Sequence, residues 1–234
     1  MRQETLAVLG GASCKLCMTW RALSGPFPLP SLLQASIPTS GWRGSSMFEE
    51  LLEQIARGLD SLGIPYMLIG GQAVLVHGEP RLTRDVVVTL GAGPEKLPVV
   101  LEWVGRTGWQ VLADSPADFV ARTLVLPCLE PASGIRVDLI FSYSAYELQA
   151  IPRARVITVG QTQVRFASAE DLVIHELVAG RPRDIDDVRS IVLKNPGLDA
   201  GYVQLWLREL DKGLQEDFVS RFEELWSRSR KADC

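Results

Sequence analysis

The chain has 234 residues, of which 47% are hydrophobic and 22% are charged, and this composition is typical of a folded globular protein rather than a disordered chain. The formal net charge of -4 excludes the overall positive field that drives non-specific nucleic-acid binding, so any RNA contact requires a local patch. No apolar run reaches the roughly 18 residues that a transmembrane helix needs, and we predict no membrane span.

Four cysteines are scattered along the chain, which is typical of a protein in the reducing cytoplasm rather than of a disulfide-stapled one. Cys14 and Cys17 have the spacing of half a zinc knuckle. Because no second pair of cysteines or histidines follows at a useful distance, we predict no zinc site there.

Residues 1–46 differ in composition from the rest of the chain. They contain a Gly/Pro-rich run over Gly25–Pro30 and many small polar residues over Ser36–Ser46, without a sustained period of 2 or 3.6. We therefore predict a disordered N-terminal extension. The alternative is a secretory signal around Thr5–Leu9, but this apolar stretch is short and Glu4 interrupts the positive region that should precede it.

The folded unit is predicted to begin at Met47, because Ser46 and Glu49 have the spacing of a capping box. A first helix then runs to about Leu62, and strands dominate the core that follows, to residue 167. The further predicted elements are a strand over Tyr66–Ile69, a short helix over Gln72–Val76, a strand over Asp85–Leu90, a helix over Pro94–Val104, strands over Trp109–Leu112, Phe119–Leu126 and Ile135–Phe141, and a hairpin of Val156–Val159 with Val164–Phe166.

The remaining residues, 168–234, are predicted to form a C-terminal helical region. Its helices are Ser168–Ala179, with a cap between Ser168 and Asp171, then Asp184–Leu193, Gly201–Leu210 and Glu216 to about Trp226. Strands followed by helices predict an α+β (mixed α/β) architecture.

Three features carry the chemistry: a strand that ends at Gly70-Gly71, Asp85 at the start of the next strand, and Asp138 inside a later apolar strand. A glycine turn lets the backbone approach a phosphate group, because no Cβ blocks the amides. Carboxylates on neighbouring strands can then converge on Mg²⁺ or Mn²⁺. The pattern thus predicts a site for phosphoryl transfer.

Each feature also has a structural alternative. Gly70-Gly71 could be an ordinary turn, and Asp85 could pair with Arg81 or Arg84. Asp138 is flanked by apolar residues, where a carboxylate is seldom buried without a partner. Its structural alternative is a salt bridge with Arg136 or Arg165.

In their order and spacing, these motifs are similar to the nucleotidyltransferase signature of the polymerase-β superfold. The segments that resemble AbiEii-type toxins and minimal nucleotidyltransferases are Gly63–Val74, Arg81–Val86, Glu170–His175 and Ala179–Val188. The likeness covers most of the chain from Met47 to about Leu210. It implies a palm-like sheet flanked by helices and followed by the C-terminal helices.

The resemblance also implies a function. Related proteins are known or proposed to transfer a nucleotide from an NTP with Mg²⁺ or Mn²⁺, in several cases as the toxin of a toxin–antitoxin pair. A hydroxyl acceptor on RNA or protein and a cognate antitoxin are therefore the expected partners. On this basis Asp85 and Asp138 are the expected catalytic and metal-binding residues. Gly70, Gly71, Arg84 and Arg181 are the expected nucleotide-binding residues.

The sequence departs from the family pattern at two positions. Val87 stands where the second acid of the Asp-x-Asp motif is usual, and residues 85 and 87 share a strand face. Glu176 stands where similar proteins often have a lysine. Whether the chain is an enzyme therefore stays open: the alternatives are a catalytically degenerate nucleotide-binding or protein-interaction module, and a purely structural domain that would leave Asp138 without a purpose.

Further charged residues after Gly180 have structural explanations. Arg181 and Arg183 suit the C-terminus of a helix as well as they suit a triphosphate. Asp184, Asp186 and Asp187 are predicted to add negative charge to the first turn of the next helix rather than to ligate a metal. The histidines, His77 and His175, lack a convincing catalytic partner in the sequence and are predicted to be partly buried polar residues or loop features.

Overall fold

The computed structural model describes residues 44–81, 83, 85–142 and 144–231. The predictions for Cys14, Cys17 and most of the N-terminal extension therefore lie outside the described residues, as does the assignment of Arg84 to the nucleotide site. No helix in the described residues is long and apolar enough to cross a membrane.

One mixed sheet of seven strands forms the centre of the protein. The strands are β1 Tyr66–Ile69, β2 Asp85–Gly91, β3 Gln110–Val111, β4 Val125–Glu130, β5 Ile135–Ser142, β6 Arg155–Val159 and β7 Thr162–Phe166. Their order across the sheet is β3-β4-β5-β2-β1-β7-β6. Strand β2 therefore lies between β1, with which it is antiparallel, and β5, with which it is parallel.

Helices cover the sheet and form the C-terminal region. They are α1 Gly44–Ser61, α2 Gly71–His77, α3 Leu97–Thr107, α4 Pro116–Thr123, α5 Ala145–Ala150, α6 Ala169–Ala179, α7 Pro182–Lys194, α8 Ala200–Leu214 and α9 Phe218–Lys231. Short 3₁₀ turns at Pro94–Lys96 and Ile151–Arg153 precede α3 and β6. The mixed α+β class that the sequence predicts is confirmed.

Helix α6 is buried on all of its faces over most of its length. It is capped as predicted, because the Ser168 hydroxyl accepts a hydrogen bond from the backbone N–H of Asp171 at 3.1 Å. All of its residues from Asp171 to Val178 are buried, so it is covered on every side rather than along one apolar stripe. Its polar members must therefore interact within the protein.

Two predictions about elements are wrong, and one helix has no counterpart in the sequence-based prediction. Phe119–Leu126 is not one strand: α4 covers Pro116–Thr123, and β4 begins at Val125. Pro116 occupies the first helical position, which suits its fixed φ, and Leu124 ends the helix with a φ of 59°. The first helix begins at Gly44, so Ser46 lies inside it rather than at its cap. Helix α5, which a Ser144–Glu147 capping box starts, is absent from the sequence-based prediction.

Candidate functional site

The site begins at the bend between β1 and α2. Strand β1 is buried along its whole length, and Gly70 follows it with φ 64° and ψ -150°. This combination is nearly restricted to glycine, so the backbone can turn here only because residue 70 has no Cβ. Gly71 is the first residue of α2, and a Cβ on it would lie 2.8 Å from the Thr83 Cβ.

The register of three strands sets the positions of the acidic residues. Val87 of β2 pairs with Ile69 on one side and with Asp138 of β5 on the other. Asp85, two residues before Val87, pairs with Arg136. Since side chains two residues apart lie on one face of a strand, the side chains of residues 85, 87, 136 and 138 share a face.

Asp85 and Asp138 line the same small cavity, together with Gly70, Val87 and Arg181. The cavity has a volume of about 70 Å³, which is room for a few water-sized groups. It can take a cation with one phosphate group but not a whole nucleotide. Gly71 is not among the residues that line this cavity.

A larger groove of about 640 Å³ runs along α1 beside Trp103. Its walls include Glu50, Glu53 and Arg57 but none of the residues assigned to the site from the sequence. Volume therefore does not identify the site in this protein. The chemistry of the side chains favours the smaller cavity.

Asp138 is a buried carboxylate with one close cationic partner. The Arg136 side chain donates a hydrogen bond from Nε to Asp138 Oδ1 at 2.8 Å, while Arg165 pairs with Asp60 instead. Burial raises the pKa of Asp138 to about 6, opposed by Arg136 and aided by the nearby charge of Asp85. At neutral pH the carboxylate is thus ionised but close to its titration point.

Asp85 is exposed at the mouth of the cavity. Its Oδ1 accepts a hydrogen bond from the Thr83 hydroxyl at 2.7 Å. Arg81, one of the two partners expected for Asp85, binds Asp187 instead, with its Nη2 atom 2.7 Å from Asp187 Oδ2. The Asp85 carboxylate therefore has no ion pair with Arg81.

Val87 occupies the wall between the two carboxylates. It is half-buried and packs against the hydrophobic core. An aspartate here would direct its carboxylate into the cavity. Valine offers no ligand atom, so two carboxylates rather than three reach the cavity from the strands.

The opposite wall comes from α6 and the loop after it. His175, Glu176, Ala179 and Arg181 line the cavity there. His175 is fully enclosed, and burial lowers its pKa to about 3, so its ring is neutral. The sequence-based assignment omits His175 from the site, although one signal was available: His175 and Glu176 are adjacent polar residues in the middle of an otherwise apolar helix.

Behind this wall, three buried acids lie close together. Carboxylate oxygens of Glu176, Asp184 and Asp187 all lie within 4.8 Å of one another. Two arginines balance them: Arg181 donates from Nε to Asp184 Oδ2 at 2.7 Å, and Arg81 holds Asp187.

The three aspartates at the start of α7 have different surroundings. Asp184 Oδ2 also accepts the backbone N–H of Arg181 at 3.0 Å, which caps the helix as the dipole interpretation expects. Asp187 is instead bound to Arg81. Asp186 is exposed and pairs with Arg189, so it is not part of the buried group.

No family model matches the sequence, and no curated protein matches it significantly. Solved structures do match the fold. The antibiotic-resistance factor ANT(2'')-Ia superposes with a TM-score of 0.50 and 16% identity over 81% of this chain and 98% of its own. The chain has the nucleotidyltransferase fold. A nucleotidyltransferase-like protein from Paracoccidioides brasiliensis has a TM-score of 0.48 and 18% identity over 76% of this chain and 93% of its own.

Within this nucleotidyltransferase fold, the cavity lies where three adjacent strands and a helix meet. Strand β1 contributes the bend at Gly70, β2 contributes Asp85 and Val87, and β5 contributes Asp138. The helical region closes the cavity through α6. The arrangement places two carboxyl groups and one guanidinium around a space of phosphate size.

Proposed function

We propose that the protein binds a nucleoside triphosphate with Mg²⁺ or Mn²⁺ and transfers the nucleotide to a hydroxyl acceptor. The observation that carries the proposal is that Asp85 and Asp138, from two neighbouring strands, line one cavity beside the Gly70 bend. The two negative charges repel each other, since the charge of Asp85 raises the pKa of Asp138. A bound cation would offset this repulsion.

The residues present fit a divalent cation. Mg²⁺ in nucleotide sites is usually held by one or two carboxylates together with the phosphates of the substrate. Asp85 and Asp138 supply two such carboxylates, and Val87 removes the third that a two-metal site would use. When bound, the cation would neutralise phosphate charge and polarise the reacting oxygens. We therefore propose one well-held cation rather than two.

The other residues have roles that follow from their positions. The bend at Gly70 lets the backbone approach a phosphate without steric contact. Arg181 lines the cavity with a half-exposed side chain and can donate to phosphate oxygens. Asp138 is ionised at neutral pH, so its carboxylate can accept the proton of an acceptor hydroxyl.

In the proposed reaction, the acceptor oxygen attacks the α-phosphorus of the nucleotide and forms a phosphodiester-type bond. The bond between the α-phosphorus and the bridging oxygen breaks, and pyrophosphate leaves with that electron pair. Asp138 takes the proton of the acceptor hydroxyl. Positioning and electrostatic stabilisation supply most of the catalysis in such transfers.

The acceptor and the biological role are further proposals. The resemblance to AbiEii-type proteins supports an RNA or protein hydroxyl as the acceptor, and a toxin that is controlled by a cognate antitoxin. The acidic balance of the chain means that an RNA acceptor would need a local basic patch. The scattered cysteines support the cytoplasm as the proposed location.

A second candidate function is a degenerate relative that binds a nucleotide or a protein without transfer. Val87 in the cavity wall favours it, because losing one first-rank electrostatic contact in an enzyme costs on the order of 10²–10³ in rate. Glu176 favours it as well, since it puts a carboxyl where a phosphate-binding lysine is common in similar proteins.

Incubation of the full chain with labelled NTPs, Mg²⁺ or Mn²⁺, and total RNA or lysate distinguishes these functions. Transfer by the native chain that Asp85→Asn and Asp138→Asn each abolish supports the enzyme. Transfer that appears only in Val87→Asp supports the degenerate site. If calorimetry detects no nucleotide or cation binding even in Val87→Asp, the enzyme and the nucleotide-binding form of the second candidate are both refuted.

A further inference from the structure

We infer that Glu176 is a positioning residue: it carries a proton, donates that proton in a hydrogen bond to Asp184, and thereby leaves Asp184 to hold Arg181 at the cavity for a nucleotide phosphate. The inference rests on the proposed nucleotide site for its functional part. Its structural part, the proton on Glu176, stands on contacts within α6 and α7 alone.

Glu176 is a buried carboxyl without a cation of its own. It is 3% exposed, and in the residues that the structure describes no ion pair holds it. The two nearby guanidiniums are already engaged, Arg81 by Asp187 and Arg181 by Asp184. An isolated buried carboxylate is strongly unfavourable, and such a group takes up a proton instead.

Asp184 supplies the complementary observation. It is fully buried, and its Oδ2 accepts both the Nε–H and the backbone N–H of Arg181. Its other oxygen, Oδ1, has no hydrogen-bond donor among the described residues. A carboxylate oxygen of Glu176 lies within 4.8 Å of a carboxylate oxygen of Asp184. Two ionised carboxylates only accept hydrogen bonds, so one proton between them satisfies an oxygen that is otherwise left without a donor.

The charged groups around Glu176 favour its protonated form. Burial is the main cause that raises its pKa well above the ordinary value, followed by the negative charges of Asp184 and Asp187 on α7, and Arg81 only partly opposes them. The neighbouring His175 is neutral and contributes no positive charge. Glu176 is therefore a neutral hydrogen-bond donor at neutral pH, a state that other enzymes also impose on buried acids.

The protonation state of Glu176 affects the cavity through the position of the Arg181 guanidinium. Asp184 takes the Nε–H of this arginine, and in the described part of the chain no acceptor is seen for its two terminal nitrogens. Its side chain is 47% exposed and lines the cavity, so these nitrogens can donate to a phosphate. An ionised Glu176 would add a second negative charge beside Asp184 and draw the guanidinium inward, away from the phosphate.

A cation bound by Glu176, Asp184 and Asp187 is the competing explanation of the same cluster. Both aspartates already hold guanidiniums at hydrogen-bond distance, and a cation would have to displace or approach these positive groups. A proton on Glu176 needs no such rearrangement. The geometry therefore favours the proton, and cation binding is an outcome that the test can detect.

The first experiment reads the proton without any nucleotide. In protein labelled with ¹³C at the glutamate carboxyls, the resonance that Glu176→Gln removes should have the protonated shift at neutral pH and titrate only under alkaline conditions. The Nε–H signal of Arg181, identified by Arg181→Lys, should shift in the same alkaline range and not in Glu176→Gln. A Glu176 resonance that titrates near the ordinary value of 4.5, or that Mg²⁺ or Mn²⁺ alone deprotonates, would overturn the inference.

The second experiment measures ATP–Mg²⁺ affinity against pH by calorimetry. Glu176→Gln keeps a donor for Asp184, so it should bind ATP like the native chain at neutral pH and lose the fall in affinity at alkaline pH. Glu176→Leu removes the donor and should bind about tenfold more weakly, as expected for one lost hydrogen bond to a charged group. Equal loss in both variants would show that Glu176 does not act as a donor.

Glu147→Gln is the matched control. Glu147 on α5 is also fully buried with a raised pKa, but it serves the Ser144 cap and does not line the cavity. This variant should alter the pH dependence of stability and leave ATP affinity unchanged. If no variant binds ATP while the proton is seen on Glu176 and coupled to Arg181, the proposed nucleotide site fails and the hydrogen bond from Glu176 stands.

Discussion

Replacing Val87 with aspartate tests the electrostatics of the cavity directly. Val87 pairs in register with Asp138 on β5, and adjacent strands lie about 4.8 Å apart. At an effective dielectric constant of about 20, two unit charges at that separation repel by about 3 kcal/mol. Loss of the half-buried valine side chain adds about 1 kcal/mol. Asp138, with a pKa near 6, can instead take up a proton at neutral pH for about 1.4 kcal/mol, and this caps the cost of the repulsion. Without cations, Val87→Asp should therefore be about 2 kcal/mol less stable than the native chain at neutral pH.

The matched control is Val87→Asn, because asparagine has nearly the same shape as aspartate but carries no charge. It should lose only the burial contribution of about 1 kcal/mol. Addition of Mg²⁺ or Mn²⁺ should then stabilise Val87→Asp more than the other two proteins, since a ligand at 100 times its Kd contributes about 2.7 kcal/mol.

Urea unfolding at neutral pH, with and without each cation, measures all of these differences. Equal stability of the aspartate and asparagine variants, or equal effects of the cations on both, would refute the placement of Asp138 and residue 87 around one cation site.

Three further predictions concern single residues. In the native chain the free energy of unfolding should fall by about 3 kcal/mol as the pH rises from 3.8, the ordinary pKa of an aspartate, to the raised pKa of Asp138 near 6. Between these two values the folded state keeps a proton that the unfolded state has lost, so unfolding becomes more favourable as the pH rises. A urea series from acid to neutral pH should show this fall, and Asp138→Asn should reduce it. Gly70→Ala should lower the free energy of unfolding by about 2 kcal/mol, because alanine is strained in the backbone conformation of residue 70. Gly105→Ala in α3 has open space for the new Cβ and should be neutral or stabilising. Equal melting temperatures for the two variants would contradict the strain at Gly70. Burial raises the pKa of the Cys128 thiol to about 12, so mass spectrometry after iodoacetamide treatment of the native protein should find Cys128 unmodified, and rapid modification would show that β4 opens.

Much of the local structure could be predicted from the sequence. The bounds of β1 agree with the prediction, because four consecutive apolar residues lie between Pro65 and the glycine pair. The cap of α6 was also predicted, since it needs only residues three positions apart. The pairing of Arg136 with Asp138 was one of the stated alternatives and follows from the period of 2 along a strand.

The failure over Phe119–Leu126 has a physical reason. Its apolar residues fit a buried strand and a short helix equally well, and period alone does not separate the two. In the structure Pro116 starts the helix, and the end of α4 depends on Leu124 adopting a left-handed conformation. β4 is then held by its pairing with β5, which is a contact made by the folded protein.

The sequence by itself determined where most strands and helices form and which acids share a strand face, because backbone hydrogen bonding and side-chain alternation act over a few residues. Tertiary structure alone decided that α6 packs as the wall of the cavity. It also brought Arg81 to Asp187, 106 residues away in the chain. The charge states of Asp138 and Glu176 belong to this second group, because burial and the surrounding charges set a pKa, and both arise only when distant segments pack together.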